Sequence, residues 1–405
     1  MSDAKSIGNV NVLDLRKTRE ESIAGIRRIG NVNLVLYSEA TLPLVSRLTL
    51  GNLNATVEVP AEADTRFVMG SYQVAAGSLP TGASASFPVV MGNVIIEGGA
   101  DNDEVSGFIA GLSGMVVMGV VLCPVSLAAL LQSKLKTVMG SVVTYPDDAV
   151  VINGPLDLSP QFLKELPRKT GFVVTGAVKA MDDAAGVLQE KLDYLQTRRP
   201  VVCHEANAST LRSKLRGIGA KLTVVPTGYR YHDGGLHLDA ATVASLEGAR
   251  LMASGSIIVE DDVDASAFGS AVAGLRSLAA IFCPKPLEAA LKGKVDMVDD
   301  RVVFYEGDLW EFGGDDRLRR SRFEFSEGKA TLLVTGDLRI DEDIEPKLLA
   351  ERLAAVHNFG EIRCSPEQMG AIEARLGIND GELGDTTPEE EHEPTDIGNV
   401  NVLAL

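Results

Sequence analysis

The chain has 405 residues, of which 45% are hydrophobic, so it can bury a large core, while its formal net charge of −18 opposes binding to phosphate-rich surfaces. We therefore expect no nucleic-acid partner and no membrane partner. No apolar run reaches the roughly 18 residues of a membrane span. The N-terminal sequence MSDAKS lacks the apolar region of a signal peptide. These features predict a cytoplasmic protein.

The chain begins with a motif that returns twice. Residues 7–15 read IGNVNVLDL, residues 29–34 read IGNVNL, and residues 397–405 read IGNVNVLAL. The first and last copies differ at one position, where Asp14 is replaced by Ala404. The last copy follows a polar, acidic stretch and has no neighbouring apolar segment to join. We therefore predict that it docks as a strand elsewhere, on this chain or on another copy.

Four cysteines set the repeat of the chain. Cys123, Cys203, Cys283 and Cys364 are separated by 80, 80 and 81 residues, and each precedes an amphipathic helix. The first three follow two or three apolar residues, and Cys364 follows Glu361-Ile362-Arg363. Tyr37 takes the position of the cysteine in an earlier copy. Agreement of spacing with flanking pattern is the signature of a repeat protein. We predict an α/β solenoid of short parallel strands and helices, in supra-repeats of about 80 residues and about four coils each.

This repeat defines the predicted boundaries. We assign residues 1–379 to a single elongated repeat domain, 380–396 to an acidic disordered linker, and 397–405 to a detached strand-like motif. The predicted repeat units are 7–91, 92–171, 172–254, 255–331 and 332–379. Amphipathic helices are predicted over 127–135, 188–195, 268–278 and 348–356, and a less regular strand over 323–325.

One stretch resembles a known family. The pattern Leu275-x-x-Leu278-x-x-Ile281-x-Cys283-x-x-x-Leu287 resembles a leucine-rich repeat with cysteine in place of the usual asparagine. The resemblance implies a solenoid of α/β coils. As architecture alone, the chain is also similar to the polymer-forming bacterial solenoids of the bactofilin kind.

We interpret the cysteines and Tyr37 as structural core residues. Strands stack about 4.8 Å apart, so cysteines four coils apart lie on the order of 19 Å from one another. A disulfide needs Cα atoms within about 7 Å, and a metal ion needs its ligands within about 2.3 Å. Reduced, buried thiols also agree with the cytosol.

Other polar groups are weak candidates for chemistry. Cys203 and His204 are adjacent on a strand and point to opposite faces, so they do not form a nucleophile–base pair. The segment from His232 to His237 contains two histidines and an acid, and we predict a polar turn there with a surface metal site as the alternative. The basic run 317–322 is either a partner of the acidic run 389–393 or a solvated loop. We predict no catalytic residue, no cofactor and no metal.

The expected function is therefore structural. Parallel solenoids end in open strand edges that pair with further strands unless covered. We predict a non-enzymatic, self-assembling scaffold whose C-terminal segment pairs with a strand edge of the same or a neighbouring subunit. The alternative is a protein-interaction module that binds another protein on its surface or through its C-terminal peptide. The predicted assembly residues are Ile7, Val10, Val12, Leu13, Ile397, Val400, Val402, Leu403 and Leu405.

Overall fold

The computed structural model describes residues 5–80, 85–98, 102–217, 219–296, 300–326, 328–385 and 397–405. The chain is mixed α/β and divides into two compact units. The first unit comprises Met1–Val224 together with His392–Leu405, and the second comprises Val225–Glu391. The C-terminal segment thus belongs to the same unit as the N-terminus.

The helices are short, and none of those in the described ranges has the length and apolarity needed to cross a membrane. The described α-helices are α1 Glu20–Ile23, α2 Leu42–Val45, α3 Asn102–Gly111, α4 Ala128–Lys134, α5 Pro160–Glu165, α6 Ala185–Lys191, α7 Ala208–Lys214, α8 Ala240–Ala244, α9 Ala265–Ala271, α10 Glu288–Leu291, α11 Arg320–Glu324, α12 Pro346–Arg352 and α13 Pro366–Glu373. Four 3₁₀ turns cover Glu39–Thr41, Val125–Leu127, Glu205–Asn207 and Lys285–Leu287.

The first unit is built from short strands that pair in parallel. They are β1 Lys5–Ile7, β2 Val10–Asp14, β3 Ile26–Ile29, β4 Val32–Tyr37, β5 Leu53–Glu58, β6 Asp64–Met69, β7 Tyr72–Val74, β8 Ser86–Met91, β9 Val94–Ile96, β10 Met115–Val117, β11 Val121–Pro124, β12 Leu135–Val138, β13 Val142–Tyr145, β14 Val150–Ile152, β15 Leu156–Asp157, β16 Thr170–Val174, β17 Val178–Ala180, β18 Leu192–Thr197, β19 Val201–His204, β20 Leu215–Arg216 and β21 Leu222–Val225.

The second unit continues the same pattern, and the final strand of the chain returns to the first unit. The remaining strands are β22 Tyr229–His232, β23 Leu236–Leu238, β24 Ala249–Ala253, β25 Ile257–Val259, β26 Val272–Ser277, β27 Ile281–Pro284, β28 Val302–Tyr305, β29 Asp308–Phe312, β30 Asp315–Leu318, β31 Ala330–Val334, β32 Asp337–Ile340, β33 Leu353–Asn358, β34 Glu361–Cys364, β35 Leu376–Asn379, β36 Glu382–Asp385 and β37 Val400–Ala404.

Most successive strands alternate between two sheets, except that β4 pairs with β5 and β27 pairs with β28. Within each sheet the neighbouring strands are parallel. The strand orders in the first unit are β1-β3, β37-β2-β4-β5, β12-β10-β8-β6, β13-β11-β9-β7, β14-β16-β18-β20 and β15-β17-β19-β21. Those in the second unit are β22-β24-β26, β23-β25-β27-β28, β29-β31-β33-β35 and β30-β32-β34-β36. Many short parallel strands in repeated small sheets are compatible with a solenoid-like repeat.

Apolar side chains fill two kinds of space. Some lie between the sheets and helices of one group of strands, as Cys123 and Leu131 do. Others lie between the facing sheets of consecutive groups. In the first unit, Val12 and Leu34 of one sheet pack with Phe87 of the next. Sheets that lie between two such groups are therefore covered on both faces, as parallel sheets commonly are.

The cysteines occupy the strands that the repeat predicts, β11, β19, β27 and β34, and all four are buried and free. The predicted helices were wrong at their C-terminal ends. The helix predicted over 188–195 ends at Lys191, and β18 begins at Leu192. The helices predicted over 127–135, 268–278 and 348–356 divide in the same way. The strand predicted over 323–325 was also wrong, since Arg320–Glu324 is helix α11.

Leucine spacing explains these errors. Leu188, Leu192 and Leu195 are all fully buried and keep a helix-like spacing across the point where helix changes to strand. The backbone passes directly into extended geometry at Leu192, which has φ −90° and ψ 122°. The sequence pattern therefore predicted the strands of one sheet in each pair. Many strands of the other sheet were predicted as the C-terminal ends of helices.

The predicted single domain over 1–379 and its five repeat units stay a prediction. The division between the two compact units falls after Val224, within the predicted repeat 172–254. Strand β36 lies inside the predicted linker 380–396 and pairs in parallel with β34. Residues 386–396 of that linker lie outside the described residues.

Candidate assembly site at the first strands

The C-terminal segment pairs with the first long strand of its own chain. Strand β37 lies parallel to β2, with Val10 beside Val400, Val12 beside Val402, Leu13 beside Leu403, and Asp14 beside Ala404. An isolated bridge joins Ile7 to Ile397. The two nearly identical sequences are therefore aligned residue on residue, offset by 390 positions.

Backbone hydrogen bonds extend along the whole contact. The amide of Gly8 donates to the carbonyl of Ile397 at 2.8 Å, and the amide of Val400 donates to the carbonyl of Asn9 at 2.8 Å. Near the chain terminus, the hydroxyl of Thr18 donates to the carbonyl of Leu405 at 2.6 Å. The backbone bonds pair amide and carbonyl groups at the edge of β2, which would otherwise face solvent.

Two columns of asparagines cross the sheet β37-β2-β4-β5. In one column, the amide side chain of Asn11 donates to the oxygen of Asn401 at 2.7 Å. That of Asn33 donates to Asn11 at 2.8 Å, and that of Asn54 donates to Asn33 at 2.7 Å. In the other column, the backbone amide of Asn9 donates to the side chain of Asn399 at 2.9 Å. The segment therefore supplies the terminal rung of both columns.

A fourth copy of the motif was missed in the sequence. Residues 51–54 read GNLN, and they match GNVN at 8–11, 30–33 and 398–401. In the structure the four copies lie side by side, because Asn52 donates to Asn31 at 2.8 Å and Asn54 to Asn33 at 2.7 Å. The invariant Gly-Asn-x-Asn spacing is the signal that could have revealed it.

The glycines of this motif permit the close approach of neighbouring strands. A Cβ atom on Gly8 would lie 2.8 Å from the side-chain oxygen of Asn399 and 2.9 Å from the carbonyl carbon of Gly398. Such distances are shorter than normal van der Waals contact. A Cβ on Gly398 would meet nothing within 4 Å, and that glycine directly precedes β37, the outermost strand of its sheet.

The predicted assembly residues are brought together. Ile7, Val10, Val12 and Leu13 are at most 4% exposed. Leu403 and Leu405 pack against the core that contains Leu13, whereas Val402 packs against the separate core that contains Val12. One face of the segment therefore packs against the core around Leu13. Its other face packs between two sheets, against the core around Val12.

The single difference between the two copies has a local reason. The carboxylate of Asp14 accepts hydrogen bonds from the Arg16 guanidinium at 2.8 Å (Nε) and 2.7 Å (Nη2), and both side chains are buried. Position 404 lies beside Asp14 in the neighbouring strand. A carboxylate at position 404 would therefore lie beside the carboxylate of Asp14. Alanine avoids this repulsion.

The predicted core residues occupy buried or partly buried positions without assembling a site. Tyr37 is partly buried at the end of β4. Burial raises the pKa of the thiols, to about 12 for Cys123 and Cys283 and to about 11 for Cys203 and Cys364. Neutral thiols are poor nucleophiles and poor metal ligands.

The remaining candidates also find local partners. His204 accepts a hydrogen bond from the amide of Ala206 at 3.3 Å through Nδ1, while Cys203 is fully buried. In the basic run, Arg317 pairs with Asp341, and Arg320 lies 3.7 Å from Glu345. The acidic run 389–393, the other predicted partner, lies outside the described residues. His237 of the predicted turn contacts Glu260 and Glu311 rather than His232.

The described residues thus show a strand-pairing contact at the edge of the sheet β37-β2-β4-β5 and one group, His237 with two glutamates, of a kind that holds metals. No family model, no curated protein and no solved structure matches the chain.

Proposed function

We propose that the chain is a non-enzymatic structural scaffold, a solenoid with supra-repeats of about 80 residues and four coils, which self-assembles through its C-terminal segment. The observation that carries this proposal is the residue-on-residue pairing of 397–405 with β2. The segment behaves as a strand of the first repeat that is encoded at the far end of the chain.

The strand counts support the repeat part of this proposal. In sheets such as β13-β11-β9-β7 and β15-β17-β19-β21, all four strands come from one continuous stretch of the chain. The sheet that contains β2 has three strands from the N-terminal region, and β37 is its fourth. A repeat that lacks a coil leaves apolar side chains uncovered, so the detached segment restores the full set.

The assembly part rests on where the contacts are made. The segment binds β2 through its own backbone, its asparagines and its apolar side chains, and these contacts are equally available to the segment of a second copy. Exchange of an identical element between copies requires no new interface. Closure on the same chain and exchange between chains therefore compete, with exchange favoured by protein concentration.

The sheet β30-β32-β34-β36 of the second unit has a charged face. On β30, β32 and β34 the register aligns Asp315, Asp337 and Glu361 in one row, and it aligns arginines in the next. The arginines of the second row are Arg317, Arg339 and Arg363. A charged outer face is typical of the capping repeat of a solenoid. We accordingly locate assembly at the first sheet.

Truncation after Asp385 tests the assembly role, because it removes the segment and leaves β36 intact. We expect the full-length protein to form oligomers whose proportion rises with concentration in sedimentation velocity, and the truncated protein to lose them. A synthetic peptide of residues 397–405 should bind the truncated chain. An unchanged size distribution together with no peptide binding would contradict the proposal.

A protein-interaction module is the second candidate. Strand β37 is the last strand of its sheet, and Ile397 is 37% exposed, so the docked segment itself presents an edge. Immobilised full-length protein distinguishes the two. Retention of a different protein, which is lost on truncation after Asp385 while the oligomeric state is unchanged, would favour the module over the scaffold.

A further inference from the structure

Three polar side chains meet where two sheets of the second unit face each other. His237 lies in β23, Glu260 directly follows β25, and Glu311 lies in β29. Strands β23 and β29 are each the first strand of their sheet. Farther into this contact the facing residues are apolar and buried, among them Ile258, Phe282 and Leu333. The three polar groups therefore lie at the margin of an apolar interface between two sheets.

The geometry places one ligand atom from each residue within 4.8 Å of the other two. His237 Nδ1 lies 2.8 Å from a carboxylate oxygen of Glu260, and His237 Nε2 lies 3.5 Å from a carboxylate oxygen of Glu311. The side chains are between about one third and one half exposed, at 53% for His237, 34% for Glu260 and 38% for Glu311. The group is accessible from solvent and held by three separate strands or strand ends.

The electrostatics of this group favour a cation. Carboxylate oxygens of Glu260 and Glu311 both lie close to the ring of His237. Two carboxylates that share one location repel each other. A divalent ion relieves this repulsion, because it carries two positive charges and binds both oxygens.

The donor set identifies the class of ion. One imidazole nitrogen with two carboxylate oxygens suits Zn²⁺ and similar first-row ions, whereas Mg²⁺ and Ca²⁺ prefer oxygen alone. Zinc–ligand distances of about 2.0–2.2 Å place neighbouring ligand atoms roughly 3.3 Å apart. In the structure one ligand atom of each residue lies within 4.8 Å of the other two, so modest side-chain rotations bring the three to that spacing. The flexible glutamate side chains allow both oxygens to reach the same ring nitrogen.

We propose that His237, Glu260 and Glu311 bind one divalent transition-metal ion of the zinc class, which ties the two facing sheets together. Three protein ligands leave at least one position for water. The site is independent of the C-terminal segment, so the assembly proposal and this one stand or fall separately.

Calorimetric titration of the chelator-treated full-length protein with ZnCl₂ and with MgCl₂ tests the proposal. We expect one saturable Zn²⁺ site per chain, with Mg²⁺ much weaker, and a higher unfolding temperature when Zn²⁺ is present. Glu311→Gln and, separately, Glu260→Gln should weaken Zn²⁺ binding about 10-fold or more, because the loss of even an outer partner of a zinc site costs that much. Using both variants keeps the test valid if one of them fails to fold.

His232→Asn is the matched control, since His232 is an exposed histidine of the same turn but lies outside the group. It should leave Zn²⁺ affinity unchanged. The proposal is overturned if Zn²⁺ shows no saturable binding, or if Zn²⁺ binds both glutamate variants as tightly as the unchanged protein. It is also overturned if the three residues affect only the pH dependence of stability, without metal binding.

Discussion

His357 is buried at a sheet contact where it acts as a neutral acceptor. Its ring packs edge-on against Phe282, with centroids 5.5 Å apart, and its Nδ1 accepts a hydrogen bond from the amide of Ile378 at 3.1 Å. Burial lowers its pKa below the ordinary value of 6.5. Protonation would both charge the buried ring and remove its acceptor.

The second unit should therefore lose stability as the solution becomes acidic. In the window from 6.5 down to the lowered pKa, the unfolded chain binds the proton that the folded chain excludes, so stability falls as pH falls through that window. Chemical denaturation at pH 7.5 and 5.5 should show a lower midpoint at pH 5.5. His357→Gln should reduce the difference between the two midpoints. An equal difference in both proteins would show that His357 is not the titrating group.

Ala404 is the second residue with a specific consequence. Ala404→Asp would place a carboxylate beside Asp14 in the neighbouring strand. We expect it to weaken docking of the segment by about 1 kcal/mol, since like charges directly opposite are destabilising. Ala404→Asn, of almost the same size but neutral, is the control. Hydrogen exchange of the Val400 amide, which is bonded to Asn9, measures docking. Equal exchange in the two variants would contradict the assigned register.

At the scale of the element, docking of β37 requires a close approach between the two segments at Gly8. A methyl group on the equivalent glycine, Gly398, would meet no other atom. Gly8→Ala places a methyl group 2.8 Å from an oxygen of Asn399, whereas Gly398→Ala points into open space. We expect Gly8→Ala to destabilise docking by roughly 1–3 kcal/mol and Gly398→Ala to have little effect. Peptides of residues 397–405, with and without the alanine, titrated onto the truncated chain with and without Gly8→Ala, measure both. Strong loss with the Gly398→Ala peptide would show that another strand covers the outer edge.

The strands also show which parts of the fold could be predicted from the sequence. The strands that carry Cys123, Cys203, Cys283 and Cys364 were predicted because their spacing repeats. The second sheet was largely missed, because strands such as β18 directly follow helices without a glycine, a proline or a break in leucine spacing. Local periodicity cannot mark a transition at which the apolar pattern is unchanged.

The pairing of the C-terminal segment could be anticipated in part from the sequence, and its role in assembly stays a prediction. The near identity of 7–15 and 397–405 predicted that the segment is strand-like and that it docks on a strand edge. It left open which edge and on which chain. The structure places it on β2 of the same chain, and the register follows from asparagine columns that single residues in isolation do not reveal.

At the scale of the whole molecule, net charge opposes association between copies. A formal net charge of −18 makes copies repel one another at low ionic strength. Association through 397–405 should therefore increase as salt screens this repulsion, whereas contacts made by opposite charges would weaken. Salt dependence thus separates strand exchange from association through charged surfaces.

A disulfide test measures the central claim most directly. The side chains of Asn11 and Asn401 are hydrogen-bonded at 2.7 Å, and adjacent strands hold paired residues within disulfide reach. The protein with Asn11→Cys and Asn401→Cys should cross-link on mild oxidation. It should run on non-reducing gels as a closed monomer at low concentration and increasingly as linked oligomers at high concentration. The pair Asn11→Cys and Ala404→Cys, which is out of register, should not cross-link. Absence of any link between positions 11 and 401, or equal linking of both pairs, would contradict the account.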